Sequence, residues 1–249
     1  MSKADQVIIV GIGEVGGPLY TILSKSYSCV KVDIQPVDAP GPCSVLHICY
    51  PFQIPDFIGV SARYIEKYRP ALTIINSTVS PGTTAKVAEA AQAPVAYSPV
   101  RGKHAKMVED MQFYRKFVGA DTPHALDRAL AHFEGAGLKT GVFPNSRVGE
   151  LAKLLETTWL GILVGWAQEV ERIAAGYGAT YKDVYAFIEE IAFLPGGIFP
   201  GVIGGHCVMP NIAILRSILK SDFLDAVVNS NEMKRSAANA QHAEVEAHD

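Results

Sequence analysis

The chain opens on an apolar run, Val7-Ile8-Ile9-Val10, which gives way to a glycine turn, Gly11-Ile12-Gly13-Glu14-Val15-Gly16-Gly17. A helix-like stretch follows at 18–26. A second apolar run, Cys29-Val30-Lys31-Val32, then ends on an acid, Asp33. A Pro/Gly-rich connector (35–42) leads to a third apolar run, 44–50. The connector is too short for another helix-and-strand unit, so the pattern predicts a trimmed nucleotide-type domain. Strands are predicted at 71–75, 95–97, 116–120 and 139–143, and helices at 53–68, 83–91 and 123–136. The rhythm changes at Arg147. From 148 to 177 there is no proline, and Leu151, Leu154, Leu155, Trp159, Ile162, Leu163, Trp166, Val170 and Ile173 cover more than one stripe. Such a helix is buried between neighbours or across a subunit contact, so Trp159 and Trp166 are read as core or interface. A helix at 181–191, a Gly/Pro-rich apolar loop at 194–210, and helices at 212–220 and 223–234 complete the reading, with a fraying tail beyond.

These elements predict an α/β protein with a reduced Rossmann-type parallel sheet domain and then an all-helical domain around one long helix. The boundaries are 1–145 for the dinucleotide-binding part, 146–235 for the helical part and 236–249 for a polar tail. The opening segment has strand, glycine turn, helix and strand, with a carboxylate about 20 residues on, which is the dinucleotide fingerprint. Gly11 permits the turn, Gly13 lets the backbone approach a pyrophosphate, and Gly16 lets the helix pack against the strand. Glu14 and Val15 fill out that turn. Asp33 would hold a ribose diol and repel a 2′-phosphate, which favours NAD. The run 71–75 delivers Ser77 and Thr78 at a strand's carboxyl end, where ligands bind in open sheets.

A net charge of −3 argues against nucleic-acid or anionic-membrane partners. No export signal precedes the first run, and the most apolar helix soon meets Gln168, Glu169 and Glu171, so a cytoplasmic, non-membrane protein is expected. Cys29, Cys43, Cys49 and Cys207 form no CxxC pair. The first three fall in or beside strand runs and read as core thiols, while Cys207 stands apart in the glycine loop. No metal site is read. Arg101, Lys103 and His104 lie in a basic loop, readable equally as a solvated turn or as an anchor for a substrate anion.

The dinucleotide turn, Ser77-Thr78-Val79-Ser80-Pro81-Gly82-Thr83-Thr84, Glu150-Leu151-Ala152-Lys153-Leu154-Leu155-Glu156-Thr157 and Gly204-Gly205-His206-Cys207-Val208-Met209-Pro210-Asn211 together resemble the nucleotide-sugar 6-dehydrogenases, the UDP-glucose/GDP-mannose dehydrogenase family. The resemblance spans roughly 7–235. It implies oxidation of a sugar-nucleotide alcohol to a carboxylate by two hydride transfers to NAD, through a cysteine thiohemiacetal and thioester. It also implies a homodimer through the long helix. By resemblance, Cys207 matches the nucleophile, Lys153 the lysine that stabilises the alkoxide, and Thr78 the strand-end threonine near the reacting centre. Without the resemblance, Lys153 reads as an ion pair with Glu150, Cys207 as a packed thiol, His206 as a structural hydrogen-bonder and Thr78 as a helix cap.

Three positions depart from the family. Its acid after Ser-Pro is Val100 here, its asparagine past the lysine is Thr157, and its aspartate past the cysteine is Asn211. Thr157 and Asn211 therefore stand as candidate substrate contacts of altered chemistry. Loss of both carboxylates, each worth about 10² to 10⁴ in rate, predicts oxidation that stops at aldehyde or ketone. The family's carboxyl-terminal domain would begin where this chain ends. Two other readings stay open: a non-catalytic NAD-binding module, and a β-hydroxyacid dehydrogenase-like enzyme in which Lys153 is essential and Cys207 is not.

Overall fold

The structure, a computed structural model, describes residues 6–33, 42–102 and 104–246, with only the backbone of His104 and of 241–246. Its chain divides into two compact units, 1–153 and 154–249. In the first, β1 (Gln6–Val10), α1 (Gly16–Leu23), β2 (Ser28–Val32), β3 (Val45–Ile48), α2 (Phe57–Tyr68), β4 (Leu72–Ile75), α3 (Thr83–Ala91), β5 (Val95–Tyr97), α4 (Met107–Phe113), β6 (Lys116–Ala120), α5 (Pro123–Gly135) and β7 (Thr140–Val142) follow in order. The strands form one sheet, β2-β1-β3-β4-β5-β6-β7. Strand β3 lies on the other side of β1 from β2, and among the described residues no strand lies outside β2, the trimmed topology the sequence implied.

Alternate residues of each strand enter opposite cores. Val7 and Ile9 join Leu19, Ile74 and Phe133 on one face. Ile8 and Val10 join Leu46, Phe57, Tyr68 and Val87 on the other. Helices covering both faces explain why the strands read as continuous apolar runs. The sheet is mostly parallel, as expected, with one reversal: β6 runs antiparallel to β5, with Tyr97 opposite Gly119. The β5–β6 link, 98–115, carries a short 3-10 turn and the seven-residue α4, and β6 starts at the carboxyl edge and runs back. Helix α4 itself went unread, because it offers only Met107 and Met111 to the core, too few turns to show a period.

Helix α6 (Ser146–Gly176) starts in the first unit and continues into the second, which also holds α7 (Tyr181–Glu189), α8 (Val208–Ile218) and α9 (Asp222–Glu246). Two expectations shift. Helix α8 begins at Val208 rather than 212, because Pro210 falls in its first turn, where no N–H is required. Helix α9 does not fray at 236 but continues to Glu246, carried by Ala-rich sequence of high helix propensity. Gly161 leaves room where an added Cβ would stand 2.7 Å from Val208 Cγ1, so α8 packs close to α6.

The long loop before α8 is fastened by buried amides. Gln168 Nε2 donates to the Gly201 carbonyl at 2.8 Å, and the Ile203 N–H donates to Asn231 Oδ1 at 2.7 Å. Asn231 Nδ2 returns a bond to the Ile203 carbonyl at 3.0 Å. Gln168 and Asn231 are almost fully buried, and pairing is what makes such burial tolerable. By contrast Trp159 and Trp166 are more than half exposed, at 57% and 60%. They are not core of this chain.

Candidate coenzyme and active site

At the dinucleotide turn each glycine has a distinct role. Gly11 sits at φ +88°, and a Cβ there would meet the Tyr50 N atom at 2.7 Å. A Cβ on Gly16 would lie 1.9 Å from the Gly11 carbonyl oxygen, so α1 reaches its strand only because Gly16 has no side chain. A Cβ on Gly13 would meet nothing within 4 Å; it points into open space beside the turn. The Gly11 N–H donates to the Val32 carbonyl at 2.8 Å. This ties the turn to the end of β2 and sets the exposed Asp33 next to it. Glu14 is exposed, and Val15 leans on the core.

The helix starts show where an anion could go. Asp56 caps α2, Thr122 caps α5 and Thr180 caps α7 through side-chain hydrogen bonds. The start of α3 is filled by Glu150, whose carboxylate accepts from the Gly82 N–H at 2.5 Å, the Thr84 N–H at 2.7 Å and the Thr84 hydroxyl at 2.6 Å. Glu150 is completely buried, and burial raises its pKa against the lowering by these donors. Its carboxylate is thus an internal anion for α3, which an ion-pair reading of Glu150 and Lys153 did not anticipate. Helix α1 has no side-chain cap and no acid in its first turn. Within its first turn the Gly17 N–H donates to the Gly13 carbonyl at 2.9 Å, the Leu19 N–H to the Val15 carbonyl at 3.1 Å, and Pro18 has none. The Gly16 N–H and the space beside Gly13 are therefore what the turn offers a phosphate. These residues therefore fit a dinucleotide.

The other sequence candidates fare differently. Ser77 turns its hydroxyl to the Tyr50 carbonyl at 2.6 Å, linking β4 to the end of β3. Thr78 is half-buried and does not cap α3, so that alternative falls. Val100 is buried in the core, where the resemblance would put an acid. Arg101 donates to the Arg115 carbonyl at 2.7 Å, with the Tyr114 and Phe117 rings 5.2 and 5.3 Å away. It is fastened to the scaffold as well as charged. Lys103 lies outside the described residues, and His104 is described only as backbone of a short 3-10 turn. Lys153 is half-buried in the first unit.

In the second unit Cys207 is exposed and takes the N-cap position of α8. Cys29, Cys43 and Cys49 are buried or half-buried, and burial pushes their thiols up to about 11, 12 and 12. Thr157 and Asn211, read as substrate contacts, meet each other: Asn211 Nδ2 donates to Thr157 Oγ1 at 2.9 Å, with both residues buried. The two departures from the family are thus one mutually satisfied pair joining α8 to α6.

A buried polar chain was missed altogether. Lys116 Nζ donates to Asn76 Oδ1 at 3.3 Å and to the Ser98 and Pro99 carbonyls at 2.8 and 2.9 Å. Asn76 Nδ2 stands 3.0 Å from His47 Nδ1, and His47 Nε2 stands 2.9 Å from His132 Nε2. Since an amide nitrogen can only donate, His47 Nδ1 accepts and its Nε2–H donates to His132. Burial lowers both histidines, His132 to about 4, so the pair is neutral. The signal was a histidine inside an apolar run and a lysine opening one.

A glycine turn, an uncapped first helix and a strand-end acid on a predominantly parallel sheet define a Rossmann-type dinucleotide-binding α/β protein. No protein-family profile matches the chain. It is 30% identical to a UDP-N-acetyl-D-mannosamine dehydrogenase of Pyrococcus horikoshii over 169 residues, which is 62% of this chain and 40% of that protein. It is 27% identical to the UDP-N-acetyl-D-mannosamine dehydrogenase of Escherichia coli K12 over 230 residues, 83% of this chain and 52% of that one. The chain thus spans about half or less of these curated relatives. In fold, a UDP-N-acetyl-mannosamine dehydrogenase structure from Pyrococcus horikoshii superposes with a TM-score of 0.83 at 19% identity, covering 96% of this chain and 71% of that one. A 3-hydroxyisobutyrate dehydrogenase from Mycobacterium tuberculosis gives 0.70 at 15% identity, covering 95% and 94%. By sequence and fold, the chain is similar to nucleotide-sugar dehydrogenases over the part of its length that these matches cover.

Proposed function

We propose that the protein is an NAD-dependent dehydrogenase that oxidises an alcohol on a sugar-like or other small anionic substrate. One observation carries this reading: the uncapped start of α1, with free space at Gly13 and an acid beside the turn, on a chain similar to these dehydrogenases. The Gly16 amide at the head of α1 meets the pyrophosphate, Gly11, Gly13, Glu14, Val15 and Gly16 shape its bed, and Asp33 accepts the ribose hydroxyls. Ser77 and Thr78 form the edge at β4. Bound NAD supplies a hydride acceptor. Lys153 stabilises the alkoxide from which hydride leaves, a task for a fixed cation. Cys207, an exposed thiol at a helix start, is the nucleophile that adds to the resulting aldehyde. Arg101, Lys103 and His104 attract the substrate's anionic part.

With Val100 in the core and Asn211 committed to Thr157, neither position supplies a base for thioester hydrolysis. The reaction then stops after one hydride transfer: alcohol and NAD give carbonyl, NADH and a proton. A panel of sugar alcohols and small hydroxy acids, followed by NADH absorbance and product analysis, is expected to yield one NADH per substrate and a carbonyl product. Two NADH per substrate with acid formed by the native protein would overturn the two-electron reading. Asn211→Asp is expected to lower stability by about 1–3 kcal/mol, since it puts a carboxylate into a buried pair, and to be the variant that gains acid product.

The exposed apolar face of α6, with Leu155, Trp159, Trp166 and Ile173, supports a homodimer through that helix. Among the described residues no helix is long and apolar enough to cross a membrane, which supports a cytoplasmic site of action. A second reading is favoured by one observation: the chain spans nearly all of the 3-hydroxyisobutyrate dehydrogenase it superposes on. In that reading the substrate is a small β-hydroxyacid, Lys153 is essential and Cys207 is not.

A further inference from the structure

Lys116 begins β6 at the carboxyl edge of the parallel strands, the same edge that carries the dinucleotide turn and Ser77-Thr78. It is 3% exposed. All three ammonium hydrogens have acceptors, and these lie on two different loops: Asn76, which precedes Ser77-Thr78, and Ser98 with Pro99, which precede Val100 and Arg101. Cys49 lies close by, and its Cβ stands 3.2 Å from where a Gly16 Cβ would be. The ammonium therefore sits behind the crevice that begins at α1.

The groups facing Lys116 are Cys49 and His47 from β3 and its end, Asn76 from β4, Arg101 from the loop after β5, and Lys153 from α6. From α5 come His132, through His47, and the Phe133 ring at 5.3 Å. Among the described residues no carboxylate forms an ion pair with it. A buried cation held only by neutral acceptors is costly to the fold, and no single loop needs it.

We propose that Lys116 is a positioning residue whose charged form fastens the β4-end loop to the β5-end loop, so that the crevice takes a dinucleotide well only while Lys116 is protonated. This rests on the coenzyme reading above. A neutral amine keeps two hydrogens and must release one of its three acceptors. The longest bond, to Asn76 Oδ1 at 3.3 Å against 2.8 and 2.9 Å to Ser98 and Pro99, is the one to go, and it is the one that ties the β4-end loop to the β5-end loop. Burial, opposed by Cys49 and reinforced by Lys153 and Arg101, lowers the lysine from 10.5 to about 7. The change therefore falls in the neutral range.

The sign is distinctive. Between about 7 and 10.5 the unfolded chain binds more protons at this lysine than the folded one, so this group makes the fold more stable as pH rises. Coenzyme affinity moves the other way. If only the protonated form binds well, the NAD dissociation constant rises about tenfold from pH 6 to pH 8, and binding at pH 8 takes up close to one proton per chain.

The test is calorimetric titration of NAD into the native protein at pH 6, 7 and 8, in buffers of differing ionisation enthalpy. Lys116→Met and Lys116→Arg are measured alongside. The expected result is proton uptake and a falling affinity in the native protein, no slope in Lys116→Met, and in Lys116→Arg an affinity at pH 8 that stays near its value at pH 6. A native affinity flat across this range, or the same slope in Lys116→Met, overturns the proposal. Hydrogen exchange at 76–80 and 98–101, corrected for intrinsic rates, reads the loops without any variant: protection must fall as Lys116 loses its proton, and unchanged protection contradicts the idea. Failure of NAD to bind at any pH removes the coenzyme reading instead, and the exchange data then decide the role of Lys116 alone.

Discussion

Gly16→Ala is expected to destabilise the protein by about 3 kcal/mol or more, a fall in melting temperature of roughly 6–12 °C, and to abolish dinucleotide binding. The cause is local. The new methyl would lie 1.9 Å from the Gly11 carbonyl oxygen and 3.2 Å from the Cys49 Cβ. Both the carbonyl and the start of α1 are backbone, so neither can rotate away as a side chain would. Relief requires α1 to lift from β1. That exposes Leu19 and Leu23 of the core and misdirects the Gly16 N–H meant for phosphate. Gly17→Ala is the control, since its Cβ would meet the Ile12 carbonyl oxygen at an ordinary 3.5 Å. Thermal melts of the two variants beside the native protein check the prediction. Equal melting temperatures for Gly16→Ala and Gly17→Ala would refute it.

Lys153→Met is expected to lower kcat by about 10² to 10³, the usual cost of removing one group that stabilises developing negative charge, with little effect on the melting temperature. Glu150 does not depend on Lys153 for compensation, because three donors at the start of α3 already hold its carboxylate. Cys207→Ser then separates the two dehydrogenase readings. Where sulfur adds to the aldehyde, kcat/KM is expected to fall roughly tenfold or more, because an interaction made along the reaction path is lost. A β-hydroxyacid-type site leaves kcat and KM unchanged in this variant, and its exposed thiol at the head of α8 makes the substitution structurally mild. Full activity in Lys153→Met would remove the alkoxide role from either reading.

The fold was legible where the physics is local. Helix α3 and strands β5 and β6 fall at the residues their patterns mark, because a buried strand must be apolar and a helix end must be signalled by Pro, Gly or a cap. Less was legible where one residue answers to a distant one. The reversal of β6 is not written in Lys116-Phe117-Val118-Gly119-Ala120 and shows only in its pairing with β5. The start of α8 moved because a proline reads as a helix breaker until it is placed in the first turn.

In the site, the glycine turn carries its meaning in its spacing, so the tight turn at Gly11 and the close packing at Gly16 could be read directly. Glu150 could not. It read as a partner for Lys153 on its own helix, and the fold shows its carboxylate at the start of α3, 66 to 68 positions away. The Lys116 chain was equally hidden, since its members lie on β3, β4, β6 and α5 and meet only in three dimensions. Thr157 and Asn211 were each visible as departures from a pattern, but only the fold shows that they satisfy one another.

The central claim is that the α1 start and the space at Gly13 hold a dinucleotide, and Gly13→Val isolates it. An added Cβ there meets no protein atom within 4 Å, and Gly13 is not among the positive-φ residues, so the variant should fold as the native chain does. Its side chain would stand where the pyrophosphate must approach. Calorimetric titration of NAD into the native protein and Gly13→Val, at matched melting temperature, is expected to show binding by the first and loss of at least about 100-fold affinity in the second. Equal binding by both proteins, or none by the folded native chain, would contradict the account.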